Sequence, residues 1–284
     1  MAKAGSDTTP ALGRSILAAM SATQVAALGT AQVQALSTAQ LNAMTAIELN
    51  ALTSGQLQAL STTQLNALSA TSVSKLKSNQ VAALTTAQVA AMTTDQVASL
   101  TTAQIRALST GQVSALSTAN IAALQTDQVA VLYSSQAVAV TTAQISALST
   151  SSLVALSTDL LQLLGTAQIA ALSTQQTAAL LTNQLQALGT EQIIAMGTED
   201  IVSLTQTQVP TLLTQQVAAL RTAQVAAFET RDLVQLTTDQ IQALTDVQIA
   251  ALATAQVASL LTSQVQALTS SQVQALTTAQ VPAL

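Results

Sequence analysis

Histidine, cysteine and tryptophan are missing from this sequence altogether, and the aromatics reduce to Tyr133 and Phe228. Without His and Cys, Ser–His–Asp and Cys–His catalysis and most zinc sites are excluded outright, so no catalytic residue, metal ligand or cofactor site is expected. Disulfides are excluded as well, a loss that fits secretion without a disulfide framework and fits a cytosolic protein equally. Charge is scarce: seven Lys or Arg and twelve Asp or Glu make up 7 % of the 284 residues, against about 25 % in an average chain. The cations Lys3, Arg14, Lys75, Lys77, Arg106, Arg221 and Arg231 are scattered and the net charge is −5. Nucleic acid is therefore not an expected partner, since phosphate neutralisation needs clustered Lys or Arg. No apolar run approaches the ~18–20 residues that cross a bilayer, because Ser, Thr or Gln interrupts every stretch. The N-terminal apolar segment, residues 16–20, is too short for a secretory signal.

What the chain does contain is one eight-residue phrase, repeated. TTAQVAAM at 85–92 has near-copies at 21–28 (SATQVAAL), 253–260 (ATAQVASL) and 277–284 (TTAQVPAL). Residues 1–12 are non-repetitive and hold Pro10; residues 13–284 divide into 34 octads with no insertion or deletion. With each octad ending on its leucine, position 8 is apolar in all 34, departing from Leu only at Met20, Met44, Met92, Val140, Met196 and Phe228. Position 5 is Val, Ile or Leu except at Ala137 and Thr177; position 4 is Gln in 26 octads, position 7 Ala in 26, and position 2 Thr or Ser in 28. A fixed short period without gaps places each octad in an equivalent site of a stack, and no linker interrupts it. The expected organisation is one continuous array over 13–284.

A helical wheel at about 100° per residue gathers positions 4, 5, 7 and 8 into one arc of roughly 160° and leaves positions 3 and 6 outside it. In a strand, variable position 6 would share a face with positions 4 and 8. Ala, Leu and Gln favour helix, whereas Val and Thr favour strands. Ser-Thr-Ala-Gln matches the S/T-x-x-Q capping box with position 1 as cap, although position 2 carries the more constant hydroxyl. One long helix is ruled out because its apolar stripe would slip about 80° per octad. The predicted fold is all-α: a solenoid of very short helices, one per octad, bending near positions 8, 1 and 2. A β-solenoid with two or three octads per coil is the alternative. One Leu and one Val per octad bury too little to offset the ordering of eight residues, so only stacking stabilises the unit. Pro210 and Pro282, both at position 6, require those two helices to start late or be distorted.

Chemistry beyond stacking is thin. Asp95, Asp127, Asp159, Glu191, Glu199 and Asp239 share position 3, the first four spaced by 32 residues; they would align if four octads made a superhelical turn. Solvated charges favoured by helix N-termini explain them, with a weak cation-binding row as the alternative. Glu199 and Asp200 are the one adjacent acidic pair, and Glu229, Arg231 and Asp232 form a loose cluster; neither has EF-hand spacing. The Gln row lies on the constrained arc and must find hydrogen bonds if buried, as caps or as a ladder between octads, with a ligand-reading row as the rival account. The Thr/Ser row reads as caps, or as an ordered hydroxyl array facing water or ice. Phe228 takes an inward leucine's place, and Tyr133 falls at a bend.

The phrases LTTAQVAAM (84–92) and LSTAQLNAM (36–44) resemble octad arrays in large bacterial surface or secreted proteins, which carry adhesin or haem-utilisation labels. The resemblance covers 13–284 and implies an extracellular or cell-surface location. Haem ligation finds no support in a chain without His. The L-T-x-x-Q-V-x-A stretch at 84–91 also looks like the opening of DNA-reading TAL-type repeats, where it begins a short helix. Those repeats are much longer, and their base-reading loop has no counterpart here, so no DNA contact is carried over. The expected function is structural: a subunit of a self-assembling filament or surface fibre, built by head-to-tail stacking with other copies of itself. The alternative is a monomeric adhesive stalk or binding scaffold for a glycan, ice or a protein partner.

Overall fold

The structure, a computed structural model, describes residues 19–284. The non-repetitive segment 1–12 and most of the first octad lie outside the described residues. Among the described residues there are 31 α-helices of four to six residues, two 3-10 helices and no strand. Each octad from 21–28 onward contributes one helix, so the helical solenoid forms and the β alternative does not.

The local geometry explains how eight residues suffice for a helix and a bend. Thr85 is the N-cap of helix Thr86–Ala90, with extended dihedrals (φ −71, ψ 157), and its side chain accepts from the Gln88 backbone N–H. The cap is thus position 1, and the more constant hydroxyl at position 2 is the first helical residue. At the far end the position-8 N–H folds back onto the position-5 carbonyl, as in Met92 N to Val89 O at 3.2 Å. The position-8 backbone then turns extended, as at Leu108 (φ −63, ψ 134). Two successive extended residues make each bend. No described residue has a positive φ, and so the bends need no left-handed glycine.

Octads meet across the coil at two distances. Helix Thr86–Ala90 packs against Thr110–Ala115, three octads along, while Gln88 reaches back 28 and 31 residues to the carbonyls of Leu60 and Leu57. One turn therefore takes more than three and fewer than four octads, and each octad rests on two others like a brick in a wall. Within each unit a spacing of 32 residues does not place one octad directly over another, so Asp95 and Asp127 in the first and Asp159 and Glu191 in the second are offset instead of aligned.

Position 5 forms the innermost layer (Val89, Val97 and Leu161 at 0 % exposure) with position 8 beside it (Leu84 and Leu100 at 4 %). Position 4 is also buried, and positions 3 and 6 face solvent, as the wheel assigns them. Position 7 departs from the wheel: its alanines are half-buried, because a helix of little more than one turn covers a narrower arc than a long one. The described residues form two compact units, one ending at Leu148 and the other Ser149–Leu284. The boundary falls just ahead of two consecutive octads whose position 4 is Ser152 and Leu160 instead of an amide.

Both prolines distort their octads in the expected manner. Around Pro210 and Pro282 the α-helix gives way to the 3-10 helices Val209–Thr211 and Val281–Ala283. The octad around Pro210 still keeps its position-8 closure, Leu212 N to Val209 O at 3.2 Å. Gln208 still donates to Thr177 O (3.1 Å) and Leu180 O (2.7 Å). Position 6 is therefore a slot where proline is cheap. Ala218→Pro, at exposed position 6, is expected to cost about 1 kcal/mol or less, against the ~3 kcal/mol of an interior proline. Val217→Pro removes the N–H that bonds Leu213 O at 3.0 Å and should show the full penalty in urea melts followed by circular dichroism.

Candidate functional site

The most organised polar feature is the buried position-4 glutamine, and its geometry repeats. In Gln248, Oε1 accepts from the Thr245 N–H at 2.7 Å. Nε2 donates to Val217 O at 3.1 Å and to Leu220 O at 2.6 Å, while Thr245 Oγ1 accepts from the Gln248 N–H at 3.3 Å. One amide thus caps its own helix and, through its other end, satisfies carbonyls at the end of a helix four octads back. Val217 O already accepts the Leu220 N–H at 3.2 Å, whereas Leu220 O is an orphan of helix termination that would be costly to bury unpaired. The row is cap and ladder at once. Where position 1 offers no hydroxyl the glutamine half persists: Leu213 N donates to Gln216 Oε1 at 2.9 Å and Leu181 N to Gln184 Oε1 at 3.0 Å.

Departures from Gln show what the position requires. Asn120, one methylene shorter, keeps the bond to the position-8 carbonyl, Nδ2 to Met92 O at 3.1 Å. Carboxyls stand there at Glu48, Asp200 and Asp232, exposed by 3 %, 6 % and 1 %. Glu48 accepts from Thr45 N through Oε2, but its buried Oε1 has no hydrogen-bond partner. Asp200 accepts from Gly197 N at 2.8 Å and from the hydroxyl of Thr177, the buried exception at position 5, at 3.2 Å. Burial pushes the Asp200 carboxyl above its ordinary range and the nearby Glu199 adds to this, while the bonds from Gly197 and Thr177 work against it. Asp232 is pushed up by burial too, opposed by Arg231 and reinforced by Glu229. Its Oδ2 is buried without a hydrogen bond.

The other residues singled out in the sequence do not converge. All six position-3 acids are exposed, and among the described residues no three or more His, Cys, Asp or Glu are grouped to hold a metal ion. Arg231 pairs with Glu229 at 2.7 Å. Phe228 is buried at 3 % exposure in the leucine layer; Tyr133 is 50 % exposed, with the Arg106 guanidinium 4.7 Å above its ring. No described helix is long and apolar enough to cross a membrane. Sequence reasoning named the glutamines but could not name their partners, which are main-chain carbonyls and leave no mark on side-chain identity.

Gln24 and Gln32 are exposed; their Oε1 atoms accept from Ser21 N and Gly29 N at 2.8 Å, and among the described residues no carbonyl meets either Nε2. In the second unit Val273 and Val281 are 49 % and 54 % exposed, where Val257 at the same octad position is 1 %.

The chain is similar to the ALTTAQ repeat, whose family model matches at residues 16–46, 73–102, 99–134, 107–142, 225–262 and 249–284, together more than half of the sequence. No curated protein matches it.

Proposed function

Because the chain belongs to the ALTTAQ repeat family, which is defined by a repeat and not by a reaction, we propose that it is a structural protein: a subunit of an extracellular or cell-surface filament that grows by head-to-tail stacking of coils. The observation that carries this reading is the polarity of the contact that joins coils inside each unit: one side offers the position-4 Nε2 donors and the other the main-chain carbonyls of positions 5 and 8, as in Gln248 on Val217 O and Leu220 O. Two copies of this chain that meet through the same contact join unlike faces. A contact between unlike faces of identical molecules does not close on itself, and such contacts propagate into filaments. Negative-stain microscopy and sedimentation at rising protein concentration test it: elongating polymers are expected, and discrete monomers at high concentration would overturn it.

A second reading is a monomeric stalk or scaffold presenting a polar surface to a glycan, ice or a protein partner. The near-constant position-2 threonines support it, being exposed as at Thr86, Thr94 and Thr110 and not engaged as caps. A glycan screen and an ice-recrystallisation assay, both negative, would remove its main forms. No catalytic role is proposed.

A further inference from the structure

Position 4 works because a primary amide accepts with one atom and donates with the other. A carboxylic acid does the same, whereas a carboxylate only accepts. The three buried carboxyls at this position are therefore not equivalent to glutamine unless they carry a proton. Asp232 is the sharpest case. Its octad rests on 197–204 as the octad of Asn120 rests on 85–92, and a side chain of the same length at Asn120 reaches the position-8 carbonyl at 3.1 Å. The equivalent acceptor for Asp232 is Leu204 O, and both residues line one small cleft with Val202, Ser203 and Arg231. Asp232 Oδ2 is buried there without a hydrogen bond.

We propose that Asp232 is a proton-dependent stitch between coils: as a carboxylic acid it donates to the Leu204 carbonyl in the way the amides do elsewhere, and as a carboxylate it loosens that contact. The charged groups around it do not replace the proton. On its own octad, Arg231 Nε is 3.7 Å from Oδ2, beyond hydrogen-bonding distance, and is 63 % exposed; the same nitrogen pairs with Glu229 at 2.7 Å. The octad beneath contributes Glu199 and Asp200, both acidic. The octads 205–212, 253–260 and 261–268 contain no titratable residue. Arg221 on the preceding octad donates to Met196 O at 3.0 Å, and Asp239 on the following one is exposed. A carboxyl raised above its unfolded value by burial, as here, adds stability that is complete below the unfolded pKa and is lost as pH rises through the folded one. The coil contact therefore tightens in acid.

Urea melts of the full chain, followed by circular dichroism at about pH 4 and pH 7, test this with Asp232→Asn and Asp232→Gln. Both variants are expected to raise the midpoint at neutral pH, shifting the unfolding equilibrium by roughly tenfold, and to flatten the dependence on pH. The gain should vanish in acid, and Gln should exceed Asn because it also reaches the Glu229 N–H. An unchanged or lowered midpoint at neutral pH in both variants would overturn the proposal. So would a rise caused by calcium chloride in the parent chain and absent from the variants, since that would make the carboxylate a cation ligand.

Discussion

Gln216→Leu should lower the unfolding free energy by about 1.5–5 kcal/mol, among the largest losses available to a single change in this chain. Gln216 is 0 % exposed, and leucine matches its bulk closely enough that little cavity term enters. What is lost is hydrogen bonding. Oε1 accepts from Leu213 N at 2.9 Å, and Nε2 donates to Leu185 O at 2.9 Å and Leu188 O at 2.7 Å. Leu185 O retains the N–H of Leu188 at 3.2 Å, so Leu188 O is left buried and unpaired at about 1–3 kcal/mol, and the exposed Leu213 N loses its cap at about 0.5–2 kcal/mol. The neighbouring Gln215→Leu is the control: position 3 is exposed, and its effect should stay within about 0.5 kcal/mol. Equal losses from the two changes, in urea midpoints read by circular dichroism, would mean that glutamine acts here only as a helix former. Leu160, 7 % exposed at position 4, shows that the array accommodates an isolated leucine at this position. The loss is therefore expected as a fall in stability and not as failure to fold.

The comparison of Gln215 with Gln216 marks the limit of what was legible in the sequence. The eight-residue period, the helix and the burial of positions 4, 5 and 8 follow from which positions vary, because burial constrains side-chain type directly. The distortion at Pro210 and Pro282 follows as well, since proline's missing N–H is a local fact. The length of the coil turn does not follow. It is set by how two extended residues at positions 8 and 1 aim the next helix, and backbone angles near φ −60 to −75 are open to almost any residue. Asp95, Asp127, Asp159 and Glu191 illustrate the consequence: their 32-residue spacing in sequence implies an alignment that, within each unit, a turn of three to four octads does not provide. Position 7 lies off the predicted arc for a related reason, because the wheel treats as a long cylinder what is barely more than one turn. The distinction at positions 1 and 2 was hidden because Ser and Thr stand at both, and only the dihedral angles separate cap from first helical residue.

Leu185→Ala should cost about 2–5 kcal/mol, the range for truncating a fully buried leucine. The lower end applies where neighbours can collapse into the space, and here they are poorly placed to do so. Leu185 is 0 % exposed in a layer one side chain deep. Its helix, Thr182–Ala187, packs against Thr158–Leu163 on one side and the proline-bearing Val209–Thr211 on the other. Backbone shifts are limited because the carbonyl of Leu185 is itself held by Gln216 at 2.9 Å. That bond makes the two substitutions a coupled pair. In the single variant Leu185→Ala the stitch opposes collapse and the cavity stays open. With Gln216→Leu also present the strand of backbone around Leu185 is released, so the double loss should fall short of the sum by about 0.5 kcal/mol or more. Strict additivity in a double-mutant cycle would show that the leucine layer and the glutamine ladder stabilise the coil independently. Sub-additivity would show that the ladder is what keeps so thin a core in register. In a stack where each octad rests on those three and four places away, that register is what separates a solenoid from a string of helices too short to stand alone.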